Sequence, residues 1–366
     1  MRCTSAPRYG RRALPRRAEC IWRPRYPSGG WSTLADPPLR AAYNTVIQSL
    51  CHGVNSTAVQ EALVGVDTLR GVVGACLTPF APDGRVDETA LARELDFMAG
   101  HCDAISVLGA EVSEYRLLSD VDRRHWLRHG IAAVAGRVPV LAGASSARIA
   151  EVAELAELAA DAGATYVQVL LPKRPWGPEA SVREVVTYFE RVTEVSPLPV
   201  VVYHNPSRGS DPSVQALIRI SELDGVVGFK ESSRDMSRIG RLIAEIDLAG
   251  NARYLTTMQP LLATLLQGGS GAMMPAPATL LGSRVLRAFD AGDIAAARTA
   301  QAVFAEFPSR WSAYGLTPVM RCAMRHLGID IGVGLPPFEP VAEADDAAIG
   351  RFLADAGLTP DAVAVG

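Results

Sequence analysis

Val226-Val227-Gly228-Phe229-Lys230-Glu231-Ser232-Ser233 is an apolar run that ends in a lysine, and Pro199-Val200-Val201-Val202-Tyr203-His204-Asn205-Pro206 is a second one that ends in a tyrosine. Short, nearly continuous apolar runs closed by polar residues or Pro read as strands buried on both faces. Lysine rarely belongs at the inner end of such a strand unless it is paired or used. Burial there disfavours the ammonium and predicts a lowered pKa. A neutral amine can attack a ketone and form a Schiff base, and a phenol on the neighbouring strand can relay protons. Lys230 with Tyr203 therefore points to covalent amine chemistry on a carbonyl. The plainer alternatives are an ion pair of Lys230 with Glu231 or another rim acid, and a Tyr203 that merely packs beside Pro206.

Working outward, the same kind of run recurs. Strands are expected at Val72–Leu77, Ala104–Leu108, Pro139–Ala142, Tyr166–Leu171, Val200–Tyr203, Val226–Lys230, Tyr254–Thr256 and Gly271–Met274. Amphipathic stretches separate them. Ile149, Val152, Leu155 and Ala159 keep a helical spacing that stops at Gly163, and Ser119 with Asp122 opens another helix as a variant capping box. Alternation of this kind describes βαβ units. Eight of them over residues 69–290 predict an α/β fold, a (β/α)8 TIM barrel. The rival is an open doubly wound sheet, but no G-x-G-x-x-G follows the first strand. Beyond residue 290, helices are expected near 292–307, 316–327 and 342–356, so residues 291–366 read as a helical appendage. In such barrels the reacting groups sit at the C-terminal ends of strands. Lys230 ends the sixth strand and Tyr203 the fifth, on one face.

The remaining composition narrows the class. The chain has 366 residues and a net charge of −3, which argues against a nucleic-acid binder. No run of about 18 apolar residues is present, so no membrane span is expected. Residues 1–68 differ from the rest: nine Arg, no Lys and four acids, with Arg11-Arg12 and Arg16-Arg17 set among Pro, Gly, Ser and Trp. No apolar h-region follows them before Ala41, which weakens an export signal. They read as a disordered extension or as sequence upstream of the true start. Cys3, Cys20, Cys51, Cys76, Cys102 and Cys322 form no C-x-x-C pair, so reduced thiols in a cytoplasmic protein are expected. His101, His125, His129 and His204 show no metal spacing with acids, and His52 and His326 are isolated. All six read as surface or packing residues, except that His204 borders the proposed site. Gly268-Gly269-Ser270-Gly271 reads as a tight turn before a strand rather than a phosphate loop.

Several ordered segments together resemble the dihydrodipicolinate synthase / N-acetylneuraminate lyase family of class I aldolase-type barrels, from about Gly71 to Pro337. They are Leu77-Thr78-Pro79-Phe80 with Asp83-Gly84 and Val86-Asp87; Ala162-Gly163-Ala164 followed by Pro172; Tyr203-His204-Asn205-Pro206-Ser207-Arg208; Gly228-Phe229-Lys230-Glu231-Ser232; Gly268-Gly269-Ser270-Gly271-Ala272; and Pro318 to Gly328 with Leu335-Pro336-Pro337. The resemblance implies that Lys230 forms a Schiff base with a 2-oxo acid, commonly pyruvate, and that Tyr203 transfers protons. Arg208 would hold a carboxylate of the second substrate or product, a task that suits its fork. It implies no metal and no organic cofactor, because the protonated imine is itself the electron sink. It also implies a homo-oligomer, a dimer or tetramer.

The departures from the family pattern carry information. Where the family has Gly-Thr-Thr-Gly-Glu after strand two, this chain reads Ala110-Glu111-Val112-Ser113-Glu114. Glu111 and Val112 thus replace the hydroxyl pair that would hold the 2-oxo acid carboxylate, and Ser113 offers a single hydroxyl nearby. After Pro172, Lys173-Arg174 stands where the family often has Tyr-Tyr. Either Glu111 pairs with Lys173 or Arg174 in a rebuilt pocket, or it points outward and the two cations form a solvated rim. Dihydrodipicolinate synthesis itself is not expected. A Schiff-base lyase or aldolase, a dehydratase of a 2-keto-3-deoxy sugar acid using the same imine, and a non-catalytic binding barrel are the readings left.

Overall fold

The computed structural model describes residues 69–361. The expected extension at 1–68 and the last residues of the appendage, 362–366, lie outside the described residues. Eight parallel strands close into a barrel in chain order. They are β1 (Gly71–Ala75), β2 (Ala104–Val107), β3 (Val140–Gly143), β4 (Tyr166–Leu170), β5 (Val200–His204), β6 (Val226–Glu231), β7 (Arg253–Thr256) and β8 (Gly271–Pro275). Each begins and ends within about two residues of its expected bounds, the usual scatter at element ends. The open-sheet rival is excluded, since β8 pairs with β1.

Helices α1 (Glu88–Ala99), α2 (Asp120–Val134), α3 (Ile149–Asp161), α4 (Val182–Val195), α5 (Val214–Ser221), α6 (Met236–Leu242), α7 (Leu261–Leu266) and α8 (Ala276–Asp290) follow the strands in turn. Local chemistry starts them. Asp87 accepts from the Ala90 amide at 2.9 Å, Ser119 from the Asp122 amide at 3.1 Å, and Ser181 with Glu184 forms a full capping box. Gly163, in the left-handed region at φ +91, follows the end of α3. The outward sides of the strands and the inward sides of the helices make one apolar layer of Val, Leu, Ile and Phe.

The barrel interior is packed rather than hollow, as eight strands require. Ser106 donates to Gln168 Oε1 at 2.8 Å, and Gln168 Nε2 reaches the Met273 sulfur at 3.6 Å, so the buried polar groups find partners. The β8–β1 seam needs glycine on both sides. Gly71 has φ +77, and a Cβ on Gly271 would lie 2.0 Å from the Gly71 carbonyl oxygen.

After the barrel come α9 (Ile294–Ala302), α10 (Leu316–His326) and α11 (Glu343–Asp355), close to the expected helices. Their tie to the barrel is Arg321 on α10, only 3% exposed. Its guanidinium donates to the Thr78 carbonyl at 2.7 Å and the Ile331 carbonyl at 3.1 Å, and it pairs with Glu114. One buried fork thus joins the appendage to the loops that follow β1 and β2. No described helix is long and apolar enough to cross a membrane.

Candidate active site

Strand register brings the two lead residues together: Tyr203 on β5 is the partner of Lys230 on β6. Partners in adjacent parallel strands point the same way, here into the barrel mouth. Lys230 is 7% exposed and its Nζ lies 4.1 Å from the centroid of the Tyr203 ring, a cation–π distance. The ammonium also donates to the Ser232 hydroxyl. Among the described residues no carboxylate pairs with Lys230. Its chain neighbour Glu231 faces the other side of the strand, as alternation demands. There Glu231 accepts from Tyr254 Oη at 3.0 Å and Ser233 Oγ at 2.8 Å, and His204 Nδ1 sits 2.6 Å from Oε1. Burial works to raise the Glu231 carboxyl, but these bonds outweigh it and hold it below the usual carboxylate range. The same burial, reinforced by the Glu231 charge, pushes the Tyr254 phenol far up.

Tyr203 has a partner that the sequence reading passed over. Asn205 Nδ2 donates to Tyr203 Oη at 2.9 Å, while Asn205 Oδ1 accepts from the Ser207 amide and hydroxyl at 3.2 and 2.9 Å. With its oxygen already accepting, the phenol keeps its own O–H free to donate. Lys230, Tyr203, Asn205, Ser207 and Ser232 line a cavity of about 310 Å³ that also takes in Arg234, Thr257 and Gln259, with Met258, Met273 and Met274 as apolar wall. Leu316, the first residue of α10, closes one side, so the appendage is part of the site.

The loop after β2 folds as two short 3₁₀ turns, Glu111–Ser113 and Tyr115–Leu117, joined at Glu114 in the left-handed region, φ +52. Thr78 fixes it by donating to the Ser113 carbonyl. Glu111 and Val112 line the Lys230 cavity. The Glu111 carboxylate takes the Arg116 fork at 3.0 to 3.3 Å and the Tyr115 hydroxyl at 3.1 Å. Burial and the Glu111 charge push the Tyr115 phenol well up, so it stays a donor. Neither outcome expected for Glu111 holds. It faces the cavity, but its cation is Arg116, five residues on, rather than Lys173 or Arg174.

The other expected residues scatter around this centre. Ser113 is buried and gives its hydroxyl to the Ala110 carbonyl at 2.5 Å, which removes it from the cavity wall. Arg174 is on the surface with Glu184, 2.6 Å away. Lys173 and Arg208 line a second, smaller cavity of about 140 Å³ with Arg116, Tyr115, Ser145 and Ser146. The Glu111–Arg116 pair therefore has one member on each cavity. His204 does not border the Lys230 cavity: its ring is fully buried on the outer side of β5, between Glu231 and Asp211, with Nε2 3.1 Å from Asp211 Oδ1.

Together these groups can place a small carbonyl compound against a buried amine, with a phenol ready to donate and polar side chains around it. The model of the dihydrodipicolinate synthetase family matches residues 68–356. A 4-hydroxy-tetrahydrodipicolinate synthase of Mycolicibacterium paratuberculosis is 31% identical over 274 residues, covering 74% of this chain and 90% of that protein. A DapA-like lyase of Halobacterium salinarum is 29% identical, covering 79% and 95%. Among solved structures, YagE of E. coli K12, a prophage protein of the dihydrodipicolinic acid synthase family captured with pyruvate, superposes with TM-score 0.72 at 25% identity, covering 79% of this chain and 99% of YagE. N-acetylneuraminate lyase of Mycoplasma synoviae shares the fold, with TM-score 0.69 at 22% identity, covering 80% and 99%.

Proposed function

The chain belongs to the dihydrodipicolinate synthetase family of lyases, and from that premise we propose that it is a Schiff-base lyase or aldolase acting on a 2-oxo acid through Lys230. The observation that carries this reading is a buried lysine with no carboxylate partner among the described residues, its Nζ 4.1 Å from a tyrosine ring at a cavity large enough for a small acid. A lysine used only for structure would be expected to have an acid beside it. The neutral amine adds to the substrate ketone to give a carbinolamine, and loss of water leaves the protonated imine. The imine then takes up the electron pair released when a carbon–carbon bond breaks, or gives it back as an enamine when one forms. Expulsion of a β-hydroxyl from the enamine would be dehydration instead, so both outcomes share one intermediate. Tyr203, oriented by Asn205, supplies and recovers the protons. No metal or organic cofactor takes part in these steps. YagE with pyruvate supports a 2-oxo acid as the ligand class.

Glu111 and Val112 make dihydrodipicolinate synthesis an unfavourable reading, since a carboxylate and a methyl-bearing side chain stand where a hydroxyl pair would receive the substrate acid. Arg234 lines the same cavity and makes no ion pair among the described residues, which makes it the better carboxylate partner here. The test is borohydride reduction with pyruvate and larger 2-oxo acids, read by intact mass. A reduced adduct is expected in the parent chain and none in Lys230→Ala. An adduct that persists in Lys230→Ala, or no adduct with any acid, would leave the binding-barrel reading standing.

A further inference from the structure

Away from the barrel mouth, α1 brings a carboxylate to a pair of histidines on α2 that lies far from it in sequence. His125 and His129 are spaced i, i+4 on α2 and so share one face. Their rings stack with centroids 6.1 Å apart and an interplanar angle of 26°. Glu88, the first residue of α1, lies between them. Its Oε1 is 2.6 Å from His125 Nε2 and its Oε2 is 3.7 Å from His129 Nδ1. One ligand atom from each residue falls within 4.8 Å of the others. No acid stands at metal-ligand spacing from these histidines in the sequence. The acid comes from another helix.

We infer that Glu88, His125 and His129 form a binding site for a divalent transition-metal ion, zinc fitting best. Two imidazoles and one carboxylate are borderline donors that favour zinc, cobalt or nickel over calcium or magnesium. In a tetrahedral zinc site, bonds of about 2.0–2.2 Å set donor atoms roughly 3.4 Å apart. The two Glu88–His contacts, 2.6 Å to Oε1 and 3.7 Å to Oε2, lie on either side of that spacing, and one donor from each residue falls within 4.8 Å of the others. The side chains are 64% (His125), 35% (His129) and 48% (Glu88) exposed, free to adjust and open to an incoming ion. A second observation points the same way. Asp87, Glu88 and Asp122 gather with His125 around a recess of about 470 Å³ whose one lysine or arginine, Arg85, is tied to Asp83 at 2.8 Å. The recess sets three carboxylates beside the His125 imidazole. A single exposed Glu–His pair would need neither the second ring nor these acids. With three protein ligands the fourth position belongs to water, and the ion would staple α1 to α2.

The cluster Cys322, His326 and Asp346 is the competing site. Its Asp346 is already held by His326 and Arg325, and its thiol is fully buried, with burial pushing the pKa up to about 12. The experiment is zinc titration of the EDTA-stripped full chain by calorimetry, repeated with Co2+ and read by its visible absorption. One ion per chain is expected, with affinity at least about tenfold weaker in His125→Ala and His129→Ala. Zinc should also raise the melting temperature of the parent but not of His129→Ala, since only native-state binding stabilises. The exposed alanine variants should melt like the parent without metal. Absence of binding, affinity unchanged in His129→Ala, or zinc lost only in Cys322→Ser would overturn the inference. None of these readouts involves Lys230, so the result is independent of the proposed lyase activity.

Discussion

Lys230 and Tyr203 were legible because their signal is local: an apolar run with one misplaced polar residue at its end. Alternation hid their neighbours. Glu231 is adjacent to Lys230 in sequence yet belongs to a separate buried cluster with His204 and Tyr254, and only strand register reveals it. For the same reason His204, adjacent to Tyr203 in sequence, faces away from the Lys230 cavity. Arg116 was missed because two 3₁₀ turns fold the loop back on itself, a path that residue types alone do not specify. Asn205 and Ser232 are within reach of the sequence, since each follows its functional neighbour by two residues, just past the end of the strand. Glu111 gives the sharpest prediction at this scale. A carboxylate on the wall of the Lys230 cavity repels a substrate acid. Glu111→Thr restores a hydroxyl and frees Arg116, so half-maximal borohydride trapping should need about tenfold less pyruvate, roughly the worth of one charge-assisted bond. An unchanged pyruvate requirement would mean that Glu111 does not set substrate choice.

Helix α1 carries a polar group that its amphipathic pattern does not explain. Glu94 is fully buried on the face that packs against the barrel, and its Oε1 accepts from the Leu77 amide at 2.8 Å. Its other oxygen has no hydrogen-bond partner among the described residues. Burial pushes its pKa up to about 8, against the opposing pull of the Leu77 amide and Arg321. The folded chain therefore holds a proton that the unfolded chain releases near pH 4.3. The stability linked to that proton is complete below about pH 4.3 and is lost as pH rises through about 8. Glu94→Gln keeps the acceptor and removes the titration. Melting curves from pH 5 to 8.5 should show the parent losing ground to the variant, by a few kcal/mol at the alkaline end. Parallel curves would show that Glu94 is not the titrating group. The caps and helix bounds were readable from Ser119, Asp122 and Gly163. The buried acid was not, because its surroundings come from the loop after β1 and from α10.

At the scale of the molecule, the barrel was readable because eight apolar strands alternating with helices admit few other closures, and the glycine seam permits that closure. The appendage is helical, as its sequence predicts, and it also shapes the cavity. Leu316 walls the cavity, and Arg321 anchors the two loops beside it. That tie has a consequence for how the protein comes into being. Translation adds about 5–20 residues per second and domains condense as they emerge. The eight strands are complete at Pro275, well before α10 has been made. A nascent chain can therefore own its lysine while still lacking the wall and the anchor that shape the mouth around it. Ribosome-arrested chains in which a linker long enough to fill the exit tunnel follows α8 should stay dark to borohydride and pyruvate, whereas chains carrying the same linker after α11 should be labelled. Equal labelling at both stalls would show that the amine needs nothing from the late-made helices. On this view birth order acts as a safety catch, keeping a reactive amine idle until its maker has almost let go.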